Sequence, residues 1–185
     1  MCEQAAESES ITGLRDAALI AFLYCSGLRI SEALAVVPRD IVTQGDVTKV
    51  NVRRGKGGRQ GWSVLVQDRG QLAHWMAVRA GMGLDPDAPI FCTISRGDVK
   101  VPGGRQDRSA VAKRLKRIGK AAGINKRIHC HGFRHSHAVG LYIKGKGQAV
   151  IMDQLRHAHP MTTARYLRDL GCLDSARELT GFSFD

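Results

Sequence analysis

What the chain lacks narrows the choices first. Its five cysteines, at positions 2, 25, 92, 130 and 172, are odd in number and form no CxxC pair, so a disulfide framework is not indicated and a reduced, cytoplasmic setting is expected. The longest apolar run, Ala17 to Cys25, is too short to span a bilayer, and the polar, acidic N-terminus carries no signal-peptide pattern. There is no repeat, low-complexity tract or Pro-rich linker. Acidic residues are scarce: 17 Asp plus Glu stand against 28 Lys plus Arg, a net charge of +11 that favours a polyanionic partner. The excess is also patterned, because eleven Lys or Arg lie between Arg96 and Arg127 with only Asp98 and Asp107 to oppose them.

A chain of 185 residues with 43% apolar content can bury one core without disulfides or metal. Residues 1–11 read as a flexible lead-in and 12–185 as a single domain. Thr12 is the expected cap of a largely apolar helix through about Cys25, which Ser26-Gly27 breaks. A second helix is expected from about Ile30 to Val36, before Pro38. Arg29 sits at its entry with Glu32 three residues on, and two readings stay open: a structural ion pair, or an arginine held rigid to face an anion. From Ile41 to Val66 the period changes to two, which predicts a β-hairpin in a small antiparallel sheet. Its tip, Gly55-Lys56-Gly57-Gly58, presents a lysine but is not a P-loop, since no Ser or Thr follows the lysine. Further helices are expected over 71–80, 109–122, 131–143 and 148–155, and Pro160 opens one that carries Tyr166. In 109–122, Val111, Leu115, Ile118 and Ala122 form one stripe and Lys113, Arg117 and Lys120 another, so one face suits a core and the other a DNA groove.

The motifs HCHGFRHSHA and LRHAHPMTTARYL carry the chemistry. His131 and Arg134, three apart on a helix, share a face, and His157 precedes Tyr166 by nine residues. Arginine offers a planar fork matched to phosphate oxygens, while histidine positions or moves a proton near neutral pH. Together with LRISEAL around Arg29 and the hairpin lysine, the ordered set Arg29, Lys56, His131, Arg134, His157 and Tyr166 resembles the active site of the tyrosine recombinase, or phage integrase, family. The resemblance implies an α+β, mainly α, catalytic domain with a small antiparallel sheet in its N-terminal third. It implies a site-specific recombinase that cleaves and rejoins double-stranded DNA through a 3'-phosphotyrosyl intermediate on Tyr166, without ATP, metal or cofactor. Arg29 and Arg134 would grip the non-bridging oxygens, Lys56 would protonate the departing 5' oxygen, and His131 would help accept the tyrosine proton or position the phosphate, to which His157 would donate a hydrogen bond. Glu32 would orient Arg29. Candidate DNA contacts are Arg53, Arg54, Arg59, Arg105, Arg108, Lys113, Arg114, Arg117 and Lys120. A homotetramer on DNA, nucleoid-associated when bound, is the implied working unit, with the apolar 173–185 tail as its exchanged element.

Two departures stand out. The family's usual glycine before the late histidine is Arg156 here, which suggests altered packing or an added phosphate contact. The family's usual N-terminal core-binding domain is expected to be absent, since only about a dozen residues precede the first core helix, and two readings stay open: a catalytic-domain fragment, or a short recombinase resembling the fimbrial phase-switch inverters. Rival readings are a type IB topoisomerase-like nicking and resealing enzyme, a non-catalytic DNA-binding protein, and a metal site built from the clustered histidines. The last is disfavoured because no HExxH exists and Arg134 would repel a cation.

Overall fold

A computed structural model of the chain describes residues 10–53, 60–66, 70–94 and 103–157. Lys56, Arg54, Arg59, Tyr166, the helix expected after Pro160 and the 173–185 tail lie outside those residues, as does nearly all of the lead-in. Among the described residues there are six α-helices and one three-stranded sheet: α1 (Ile11–Ser26), α2 (Ile30–Ala33), β1 (Ile41–Gln44), β2 (Val47–Val52), β3 (Gly61–Val64), α3 (Gln71–Gly81), α4 (Arg108–Ala121), α5 (Cys130–Ile143) and α6 (Gln148–Leu155). The α+β, mainly helical reading holds.

Helix α1 is the central element because nearly every face of it is apolar, and it packs against α2, α3, α5 and β3. Its cap is Ser10 and not Thr12, since the Ser10 hydroxyl accepts the Gly13 N–H at 3.0 Å. Phe22 meets Phe91 at a tilt, with centroids 5.2 Å apart, and buried Trp75 donates its indole N–H to the Ile90 carbonyl at 2.8 Å. The segment after α1 turns sharply at Gly27. A φ of 64° and a Cβ position only 2.6 Å from His137 Cδ2 leave room for glycine alone. Helix α2 is shorter than expected and stops at Ala33, its last turn tightening ahead of the 3₁₀ turn Pro38–Asp40.

The sheet holds one strand more than a simple hairpin. A tight turn at Gly45 pairs Ile41 with Val50, and the second pairing sets Val50 against Ser63. Val50 and Val52 point into the core, as the alternation predicts. In β3 the inward positions are Ser63 and the following Leu65, while Trp62 is half exposed. A serine is tolerated there because its hydroxyl donates to the Ser26 carbonyl at 2.7 Å, which ties β3 to the end of α1.

Candidate active site

Three chain turns meet at the side chain of Arg134. It projects from α5 and is almost completely buried, 1% exposed. Its Nη1 donates to the Gly27 carbonyl at 2.7 Å, and its Nη2 donates to the Leu155 carbonyl. Gly27 lies two residues before Arg29, and Leu155 two residues before His157. One guanidinium therefore fastens the turn carrying the first arginine to the turn carrying the last histidine, across 107 and 21 residues of chain. His131, one helical turn before Arg134, opens α5 beside them.

Glu32 builds the other side. Its side chain is 2% exposed, and its two oxygens serve three donors. Oε1 takes Arg29 Nη1 at 3.0 Å, and Oε2 takes both the Arg29 backbone N–H at 2.9 Å and Arg156 Nη2 at 2.8 Å. Burial alone would raise the Glu32 pKa, but the Arg29 N–H, the Arg156 charge and the Arg29 guanidinium outweigh it and hold the carboxyl below its ordinary value. Arg29 is thus ion-paired, while its side chain keeps 30% of its surface exposed.

Arg156 is the residue whose role the sequence left undecided. At the C-cap of α6 it adopts φ 52° and ψ 46°, the one positive φ outside glycine among the described residues. A left-handed conformation costs an L-residue about 1 kcal/mol or more, which accounts for glycine being the usual choice here. What offsets the cost is the ion pair with Glu32. A polar network supports the same end of α6: the Gln154 side-chain amide donates to the Val64 carbonyl at 2.7 Å and accepts the Val64 N–H at 3.0 Å. It also reaches His137 Nε2 at 3.2 Å, while His137 Nδ1 donates to the Tyr24 carbonyl at 2.7 Å. Sequence reasoning did not find Gln154, and it placed His137 only within the metal alternative; no local motif marks either.

Burial and neighbouring arginines hold His131, His137 and His157 below the ordinary imidazole pKa. Burial first, and then the charges of Arg134, Arg29, His131 and Arg156, push the His157 pKa from 6.5 to about 4. Burial, Arg134, His129 and Arg29 lower His131, and burial lowers His137 despite its bond to Tyr24. A neutral imidazole can donate from one nitrogen and accept at the other, as proton transfer around a phosphate needs. The linkage has a definite sign. The unfolded chain binds protons on these histidines more readily than the folded one, so stability is lost as pH falls from about 6.5 towards 4. Thermal melts across that range are expected to show a falling midpoint; a flat profile between pH 7 and pH 5 would contradict the assignment.

The proposed DNA-contact residues divide. Arg108, Lys113, Arg117 and Lys120 are exposed on α4. Arg114 turns inward instead, pairing with buried Asp16 at 2.5 Å and donating to the Gln106 side-chain oxygen. Arg53 pairs with buried Asp40 at 2.6 Å, and Arg105 donates to the Ser31 carbonyl at 2.5 Å. Both arginines line a cleft of about 360 Å³ that Glu32 also lines. Among the described residues no three His, Cys, Asp or Glu side chains converge where a metal could be held.

The profile of the Phage integrase family matches residues 3–170. Tyrosine recombinase XerC of Nitrobacter winogradskyi is 34% identical over 152 residues, 82% of this chain and 45% of that protein. Tyrosine recombinase XerS of Streptococcus pneumoniae is 32% identical over 154 residues, 82% of this chain and 41% of that protein. The chain thus spans a little under half the length of these relatives. In fold it is similar to the XerH site-specific recombinase solved with a palindromic difH substrate in a post-cleavage complex (TM-score 0.75, 24% identity, covering 98% of this chain and 52% of that one). It is likewise similar to the XerA recombinase (TM-score 0.72, 24% identity, 94% and 62%).

Proposed function

Because the chain belongs to the phage integrase family, we propose that it carries the catalytic unit of a site-specific recombinase that cleaves and rejoins double-stranded DNA through a 3'-phosphotyrosyl bond on Tyr166. What supports this reading is the Arg134 fastening, which ties the turn before Arg29 and the turn before His157 to α5, the helix that carries His131. Two guanidinium groups with neutral imidazoles beside them suit a phosphodiester. As the tyrosine oxygen bonds to phosphorus and the bond to the 5' oxygen breaks, charge builds on the non-bridging oxygens, where Arg29 stabilises it directly and the buried Arg134 contributes its positive charge from behind. His131 is suited to take the tyrosine proton or position the phosphate, His157 to donate a hydrogen bond, and Lys56 to protonate the leaving 5' oxygen. The two arginines supply the positive charge that metal ions supply in many nucleases. Exposed cations on α4 support a phosphate-tracking face, and the proposed working unit is a tetramer on DNA joined through the 173–185 segments.

Covalent trapping tests the reading. The full chain is incubated with nicked duplexes in the presence of EDTA, then denatured and resolved by gel. A protein–DNA band that disappears in Tyr166→Phe is expected; an undiminished band in that variant would refute the proposal. Relaxation of supercoiled plasmid without recombinant products would move the reading to a topoisomerase.

A further inference from the structure

We propose that Arg156 is a positioning residue for strand cleavage, acting through Glu32 to keep the guanidinium of Arg29 turned towards the phosphate. The inference rests on the strand-cleavage reading above. Glu32 has two oxygens, and the geometry divides them: Arg29 Nη1 holds Oε1, while Arg156 Nη2 and the Arg29 backbone N–H hold Oε2. A lone arginine beside a buried carboxylate prefers the two-point fork, with parallel N–H donors on both oxygens. Arg156 and the Arg29 backbone N–H together occupy the second oxygen, so the fork is not made. Arg29 is left with a one-point contact, and its other guanidinium N–H groups lie outside the pair.

Three further observations point to a built arrangement. Arg156 accepts a left-handed backbone to stand there. Its stem runs beneath Gly61, where a Cβ would lie 2.8 Å from Arg156 Cδ, so the first residue of β3 leaves a channel that only glycine keeps open. Its Nη1 is buried without a hydrogen-bond partner among the described residues, and within them its Nη2 bond to Glu32 is what anchors the side chain.

The charges give the same answer. Arg29 and Arg156 share one carboxylate, Glu32, and so the pair keeps a surplus of positive charge for an anion. Removing Arg156 would let Glu32 neutralise Arg29 more completely, and the loss would fall on the cleavage step more than on DNA affinity, to which the exposed cations of α4 also contribute.

The test compares the wild type with Arg156→Gly, Arg156→Lys, Glu32→Gln and the double variant Glu32→Gln/Arg156→Gly. Adduct formation is timed at saturating DNA, with DNA Kd and melting temperature measured beside it. Arg156→Gly is expected to slow cleavage about tenfold to a hundredfold. Kd and melting temperature should change far less, because glycine relieves the backbone. Arg156→Lys should recover part of the rate. In the Glu32→Gln background the same Arg156→Gly change should cost less than about twofold, since the shared carboxylate is gone. A wild-type rate in Arg156→Gly, or a full loss that persists without the Glu32 carboxylate, would overturn the proposal. If the wild type forms no adduct, the strand-cleavage reading has failed, and the Arg29 Nε–H signal of the 15N-labelled full chain decides the positioning claim separately. That signal should move in Arg156→Gly and move no further in the double variant than in Glu32→Gln; an unmoved signal overturns it.

Discussion

Arg134→Ala is expected to destabilise the chain by about 3–5 kcal/mol and to abolish adduct formation. Two buried carbonyls, Gly27 and Leu155, would each lose their charged donor in the same step. An acceptor left unpaired inside a protein costs about 1–3 kcal/mol, and the vacated volume adds to that. The substitution also unfastens the Arg29 turn from the His157 turn, so what remains folded would no longer hold the site together. Arg134→Lys separates the two effects. It keeps the charge, but an ammonium on a single stem does not reproduce a planar fork aimed at two carbonyls from different parts of the chain. It should recover part of the stability and still lose about a hundredfold to a thousandfold in cleavage rate. Urea denaturation and timed adduct formation measure the two quantities. Near-native stability in Arg134→Ala would show that the fastening contributes little.

Glu32→Ala comes second in expected size. The carboxylate accepts from Arg29 twice and from Arg156 once, and its removal leaves two guanidinium groups without the counter-charge they share. Removing one partner of a buried pair typically costs about 3–5 kcal/mol, because the stranded charge stays behind. The exposure of Arg29 lets water recover some of that, so the lower end is expected. Glu32→Gln keeps the shape and one acceptor and should cost less than half as much. Cleavage should fall in both variants. A fully active Glu32→Ala would remove the basis for assigning Arg29 a fixed position.

Much of this was legible in the chain. Helix α6 begins and ends where its pattern predicts, and α4 and α5 agree to within a residue, because strong apolar periodicity and glycine stops mark them. Arg29, Glu32, His131, Arg134 and His157 could be nominated from motif and order. What the sequence did not carry depends on contacts between distant residues. The inward face of β3 turns on a hydrogen bond from Ser63 to Ser26, 37 residues away, and the seat of Gln154 on Val64, 90 residues away. Arg114 belongs by pattern with the cations of α4, yet Asp16 on α1 draws it inside. At Arg156 the missing glycine was visible, but not that the arginine would keep the glycine's backbone conformation and spend its side chain on Glu32.

The most direct measurement is to locate the bond to DNA. The trapped adduct is digested with protease and nuclease, and the nucleotide-bearing peptide is sequenced by mass spectrometry. The account requires a 3'-linked nucleotide on Tyr166, in the peptide that follows Arg165. A nucleotide on any other side chain, or one joined through its 5' phosphate, would contradict it.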